Sequence, residues 1–314
     1  MSKTARERID GVLSLDKPVG PTSNDALIRV RRLFNARKAG HGGTLDPMAS
    51  GLLPIAFGEA TKFLHDLLEA DKSYEAVLAL GTTTTTGDAE GDVVARAPVA
   101  ADDAAIAAAV DGLTGEIEQV PPMYSALKRA GRPLYDYARA GQTVERSARR
   151  VRIDEMTLTR IDRTSSDAPR VAFHVRCSKG TYVRVLAEAI GERLGCGAHL
   201  VALRRTAVGP LRLDAAVSLP SLESATREQR LAMLAPVDAL LSGLPAMTLD
   251  AAAAARLQQG QRLPAAAFAA GGGAGAAGAD ESVRVRVYAD ARLLGVAERR
   301  GDGTLAPLRL ISNE

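Results

Sequence analysis

The chain has 314 residues, of which 46% are hydrophobic and 4% aromatic, with no tryptophan and a formal net charge of +3. That length accommodates one large domain and a small one over an Ala, Leu and Val core, and no run reaches the roughly 18 apolar residues of a membrane helix. The charged start MSKTARERID lacks the apolar stretch of a secretory signal, and Cys177 and Cys196 are too few and too far apart for a zinc site, so a reducing cytoplasm is the expected compartment.

Gly11 to Asp16 reads as a short strand, closed by the turn Lys17-Pro18-Val19-Gly20-Pro21. Ser23 is placed to cap a helix whose Leu27, Val30 and Phe34 share a face, with Gly40 as its stop. The next stretch, GHGGTLDPMASG from Gly40 to Gly51, gives the backbone room for tight turns or for the close approach of another molecule. It holds one imidazole, His41, and one carboxylate, Asp46. Taken alone it reads as a connection in which Asp46 caps a helix beginning at Pro47. A nucleotide loop fits worse, because Leu45 stands where a GxGxxG pattern needs its third glycine and no Gly-Lys-Ser/Thr follows.

Gly51 to Phe57 is an apolar strand interrupted by Pro54, and Phe63, Leu64, Leu67 and Leu68 repeat at helical spacing over 60 to 70. Tyr74, Ala76, Leu78 and Leu80 alternate as a strand, and Thr82 to Thr86 is a strand end or hairpin loop. Residues 101 to 111 form an Ala-rich helix. Residues 123 to 152 then carry eight basic side chains against Asp136 and Glu145, a local charge of +6, interleaved with Tyr124, Tyr135 and Tyr137. A charge run is often just a solvated face, but this mixture suits phosphate neutralisation and base stacking. Lacking an apolar stripe, the segment is expected to stay mobile until a partner binds.

Val171, Phe173, Val175 and Cys177 alternate as a strand. Thr181 is placed to cap a helix lined by Val183, Leu186, Ile190 and Leu194, which leaves Arg184 in the first turn, off that stripe. Leu200 to Thr206 is a further strand. After about residue 245 the composition changes: a short helix from Asp250 to Leu257, a low-complexity tract from Gly271 to Gly278 expected to be disordered, and a small β unit. In that unit Val283, Val285 and Val287 alternate with Arg284 and Arg286, and turns fall at Asp290-Ala291 and Gly301-Asp302-Gly303.

GGTLDPMASG resembles the active-site signature of the TruB-type tRNA pseudouridine synthases, and four more blocks match that family in order: LDKPVGPTS, KSYEAVLALGTTTTTGDAEG, PPMYSALKRAGRPLYDYAR and CSKGTYVRVLAEAIGERLGCGAHLVALRRTAVG. The resemblance covers most of residues 11 to 210. It implies an α/β fold: a mixed-sheet catalytic domain over 1–244 with a basic RNA-gripping insertion at about 123–152, then a small β-rich, PUA-like RNA-binding domain over 245–314. The implied reaction is isomerisation of uridine 55 in the T-arm of tRNA, with the target base flipped into a pocket. By the same resemblance Asp46 is the catalytic carboxylate, Arg184 its positive partner, Tyr74 the ring beneath the flipped base, Tyr182 and Leu203 its pocket contacts, and His41 its neighbour. Asp88 is placed to pair with Arg184 from the far side, and Lys17, Lys128 and Arg129 are further candidates for substrate contact.

Moving uracil from N1 to C5 involves no redox change or external group, so no cofactor and no metal is expected. A monomer bound to no membrane is the expected state. Without the resemblance, Arg184 reads as a helix residue facing solvent, the two tyrosines equally as ordinary core packing or as pocket rings, and His41 as exposed. Two rivals stand beside the enzyme: a non-catalytic tRNA-binding or tRNA-folding protein, and a glycoside-type hydrolase. The hydrolase would want two carboxylates about one bond, where the central motif supplies one.

Overall fold

The computed structural model describes residues 5–165, 168–268 and 282–312, so the Gly271 to Gly278 tract lies outside the described residues. In chain order the structure runs β1 (Gly11–Lys17), α1 (Ser23–Leu33), β2 (Ala39–His41), β3 (Ala49–Phe57), α2 (Leu64–Glu69), β4 (Lys72–Leu80), β5 (Thr82–Thr84), β6 (Val93–Arg96), α3 (Asp103–Asp111) and β7 (Gly115–Gln119). The basic segment contributes β8 (Lys128–Arg129), β9 (Arg132–Pro133) and α4 (Leu134–Arg139). There follow β10 (Arg149–Asp162), β11 (Arg170–Cys177), α5 (Val183–Arg193), β12 (Ala198–Val208), β13 (Leu211–Arg212), β14 (Val217–Ser218), α6 (Leu219–Ser224) and α7 (Arg227–Ala232). The chain closes with β15 (Ala246–Leu249), α8 (Ala251–Gln258), β16 (Val283–Ala289), β17 (Arg292–Arg299) and β18 (Leu305–Leu310).

Ten strands make one mixed sheet in the order β14-β1-β3-β12-β4-β11-β10-β7, with β2 beside β3 and β13 beside β12. The β1–β14 and β3–β12 pairs are parallel and the other pairs antiparallel. β3 is apolar at nearly every position because both its faces are covered. Leu53, Ile55 and Phe57 join Val30 of α1, Ile106 of α3 and Leu186 and Ile190 of α5 in the main core. Leu52 and Ala56 face Phe63, Leu67, Leu240 and Leu241 on the other side. Pro54 does not interrupt the strand. Its carbonyl accepts from Gly42 N–H at 2.8 Å, and because its nitrogen has no hydrogen to return to Gly42 O, the β2 ladder ends beside it at the His41–Ile55 pair.

Three local expectations are corrected. The cap of α1 is Thr22, in a capping box with Asp25, which releases Ser23 for another role, and the helix ends through Asn35 at φ +51° instead of running to Gly40. No helix follows Asp46-Pro47; Ala49 N–H donates to the Asp46 carbonyl in a turn that leads into β3. Thr181 does not cap α5, its hydroxyl donating instead to Ser178 O. The basic window does not stand wholly apart from the core fold, since Arg149 to Arg152 belong to β10 in the central sheet, paired with β7.

The small β-rich unit expected at the C-terminus is a four-stranded sheet in the order β15-β16-β17-β18 with its own core of Leu249, Leu257, Val285, Val287 and Leu294. It is seated on the first sheet's outer face: Leu293 and Val296 pack with Leu52, Phe63 and Leu67, Tyr288 donates to Asp238 at 2.6 Å, and Arg284 pairs with Asp66 at 2.6 Å. Among the described residues no helix is long and apolar enough to cross a membrane.

Candidate active site

The loop from Gly42 to Met48 is held from both sides by backbone contacts. Ser23 Oγ accepts from Leu45 N–H at 2.7 Å and donates to Leu45 O at 3.0 Å. Gly20 N–H donates to Pro47 O at 2.8 Å. From beneath, the buried Arg205 of β12 donates to Gly43 O at 3.1 Å, Thr44 O at 3.3 Å and Leu52 O at 2.8 Å. Gly51 has φ +99°, and a Cβ there would lie 2.3 Å from Arg205 O, so only glycine lets β3 come this close to the strand carrying Arg205. The result is a rigid support that presents Asp46, its side chain 40% exposed, to a cleft.

Arg184, in the first turn of α5, is buried and satisfied on every side. It contacts Asp46 Oδ2 at 3.0 Å and Asp88 Oδ2 at 3.5 Å, and donates to Thr86 O at 2.9 Å and Tyr124 O at 2.7 Å. Asp88 is buried as well, its other oxygen accepting from Thr86 Oγ1 at 2.5 Å and Glu90 N–H at 3.1 Å. A buried guanidinium between two carboxylates keeps Asp46 oriented while leaving part of it open to a ligand.

Two cavities meet at this pair. One, of about 450 Å³, is lined by His41, Asp88, Glu90, Tyr124, Tyr135 and Arg139; the other, of about 220 Å³, by Lys72, Tyr74, Tyr182, Leu203 and Arg205; Asp46 and Arg184 line both. Burial, with the nearby Arg205 charge, lowers the His41 pKa, so its ring is neutral at pH 7, and among the described residues its buried Nδ1 has no hydrogen-bond partner. Burial raises the tyrosine pKa at 74 and at 182. Glu90 is raised too, by burial first and then by the charges of Asp88 and Asp46.

The structure thus brings Asp46, Arg184, Asp88, His41, Tyr74, Tyr182 and Leu203 together. It sets the other three candidates apart. Lys17 is fully buried and donates to Pro18 O and Pro21 O, both at 2.8 Å; burial pushes its pKa down to about 8 against the opposing pull of Asp46. Lys128 and Arg129 sit exposed on the β8–β9 hairpin, Arg129 donating to Glu145 O, and it is Arg139 and Tyr135 of α4 that reach the cleft. Sequence reasoning missed two supports. Arg205 had a signal, a cation alternating with Leu203 and registered opposite Tyr74. Gln119 had none: its buried amide accepts from Tyr182 N–H at 3.0 Å and donates to Tyr182 O at 3.4 Å across 63 residues of chain.

Comparison with known proteins agrees with this geometry. The family model described as TruB family pseudouridylate synthase (N terminal domain) matches residues 31–183. Those for the tRNA pseudouridylate synthase B C-terminal domain and for pseudouridine synthase II TruB, C-terminal, match 184–242 and 245–311. A tRNA pseudouridine synthase B of Burkholderia mallei (strain ATCC 23344) is 61% identical over 310 residues, 98% of this chain and 96% of that protein. One from Cupriavidus metallidurans is 57% identical over 307 residues, covering 98% and 95%. Among solved structures, a Cbf5-Nop10-Gar1 complex aligns with TM-score 0.71 at 26% identity, over 97% of this chain and 84% of that one. An H/ACA RNP bound to a substrate RNA containing 2′-deoxyuridine aligns with TM-score 0.71 at 25% identity, over 97% and 86%. With near-full-length relatives at such identity and family models reaching from residue 31 to 311, the chain belongs to the TruB family of pseudouridylate synthases.

Proposed function

We propose that this pseudouridine synthase acts on tRNA and converts uridine 55 of the T-arm, with Asp46 as the reacting carboxylate. The observation that carries the reading is the Asp46–Arg184 contact of 3.0 Å at the junction of two cavities, where one acid is oriented by a fixed cation and still accessible. The relatives bearing the name tRNA pseudouridine synthase B support tRNA as the substrate.

A uridine in a folded arm must leave its stack to meet Asp46. The 220 Å³ cavity offers it the Tyr74 ring, with Tyr182 and Leu203 at its sides, while neutral His41 stands in the adjoining cavity beside the nucleotide. Arg139 and its exposed neighbours on the insertion neutralise the flanking phosphates. Arg184 keeps the Asp46 carboxylate facing the sugar C1′ and base, and its own partners Thr86 O, Tyr124 O and Asp88 hold it still while charge shifts. The acting unit in this reading is a monomer. The C-terminal sheet adds a second surface for the tRNA.

Release of tritium from C5-labelled uridine in a tRNA transcript tests this directly. Release from the single T-arm position is the expected result. Tight tRNA binding without any release would instead favour the non-catalytic tRNA-binding reading.

A further inference from the structure

The two cavities that share Asp46 and Arg184 differ in sign. Ionised side chains lining the larger are Asp46, Asp88 and Glu90 against Arg139 and Arg184, a net of −1. Those lining the smaller are Lys72, Arg184 and Arg205 against Asp46 alone, a net of +2. Among the described residues no carboxylate pairs with Arg205: the residue is 1% exposed, donates to the neutral carbonyls of Gly43, Thr44 and Leu52, and has the Tyr74 hydroxyl opposite it on β4 as a further neutral partner. Lys72 is likewise tied to the carbonyls of Leu67, Leu68 and Ala70 and lacks an acidic partner within salt-bridge distance among the described residues. A buried cation without a counter-ion is costly in a fold, and its field acts strongly in the dry space it borders.

We infer that Arg205 is a positioning residue for the reaction, fixing the Asp46 loop and holding the base-side cavity at a positive potential that stabilises the uracil anion formed in the reaction. This rests on the pseudouridine reading above. When the C1′–N1 bond breaks, its electron pair stays with the base, which becomes an anion with charge shared over N1, O2 and O4. The sugar is balanced by Asp46, through a bond to C1′ or by taking the C2′ proton. Bonding of C5 to C1′ then reverses that step, C5 gives up its proton and N1 gains one, so the product is an isomer. Positive charge fixed in advance beside the departing base lowers this barrier in the way a preformed oxyanion site does.

The test compares wild type, Arg205→Met and Arg205→Lys on T-arm RNA carrying uridine or 5-fluorouridine at the target, in single turnover, reading loss of the starting nucleoside. Fluorine makes the base a better leaving anion and reduces the help it needs. Arg205→Met is expected to lose about a hundredfold in rate on uridine, in line with removal of one preorganised donor. Its affinity for the RNA should stay within about threefold, and its deficit on 5-fluorouridine should shrink at least about tenfold, as a roughly 1.4 kcal/mol relief of the barrier implies. Arg205→Lys, which keeps the charge, should hold the wild-type ratio of 5-fluorouridine to uridine rates while both rates fall through the lost fork. Equal deficits on the two substrates for Arg205→Met, or wild-type rates in either variant, would overturn the inference. Should Arg205→Met not fold, the Arg205→Lys rates and ratio decide. Pseudouridine formation by the wild type is the control: its absence defeats the parent reading, and its presence with flat substrate dependence defeats this one alone.

Discussion

In the cleft, Arg184 is surrounded by Asp46, Asp88 and two carbonyls and shielded from water; on the insertion, Arg132 and Arg139 lie over the rings of Tyr137 and Tyr135 at 4.5 and 5.3 Å with their surfaces exposed. The same side chain meets opposite conditions. Arg184, its N–H groups committed to Asp46, Asp88 and the two carbonyls, orients what it touches. A guanidinium resting on an aromatic face keeps an edge open for a phosphate, at a cost of about 0.5–1 kcal/mol when it leaves the ring. On the proposed reading the cleft serves chemistry and the insertion capture, and substitutions should separate rate from affinity along that line.

The largest effect is expected at Asp46. Asp46→Asn preserves shape and removes the charge, so single-turnover conversion should vanish while the tRNA Kd moves less than about tenfold, or ~1.4 kcal/mol. Residual turnover in clean protein would break the division at its centre. Arg184→Lys comes next: charge stays, the planar fork goes, and the saturated rate should fall about a hundredfold with affinity nearly unchanged. A loss confined to affinity would place Arg184 with the phosphate-binding arginines instead.

The opposite pattern is expected for the double variant Arg132→Ala, Arg139→Ala. Its Kd should rise about tenfold at moderate salt, and the log–log salt dependence should flatten by about one to two units, while the saturated rate holds. The smallest effect is a pH dependence of stability, and it sharpens what burial does to a cation. Lys17 has a folded pKa of about 8 against an ordinary 10.5. Below pH 8 it is charged in both folded and unfolded chains and its burial penalty is constant. Between pH 8 and 10.5 the unfolded chain binds more protons, so this residue's contribution to stability rises with pH, by at most about 1.4 kcal/mol per unit. Denaturation of wild type and Lys17→Met at pH 7.5 and 9.5 should show wild type gaining on the variant by about 2 kcal/mol.

What the sequence disclosed and withheld follows from how local each cause is. Alternation in β4 and β11, the Ala-rich α3 and the hairpin at Asp290 are set by neighbours within a few residues, and these were legible. The cap of α1 was displaced by one position because Ser23 serves the Asp46 loop 22 residues away, a demand invisible in the helix's own sequence. Gln119 and Tyr182 meet only because β7 and β10 pair at the sheet edge and bring the start of α5 alongside. The partners of Arg205 lie more than 150 residues away. Asp46 was singled out by a motif, whereas the contacts that hold its loop and side chain, from Gly20, Ser23, Arg184 and Arg205, are long-range.

The contact between the two sheets carries a further consequence. Leu293 and Val296 share one apolar cluster with Leu52, Phe63 and Leu67, so exposing either surface to water costs the other its cover. Melting should then be cooperative across the whole chain, with a single calorimetric transition in place of two. The same joint fixes the span between the cleft and the far strands of the small sheet. A ligand long enough to touch both is gauged against a rigid ruler, and its length and bend, more than its sequence, decide whether it fits.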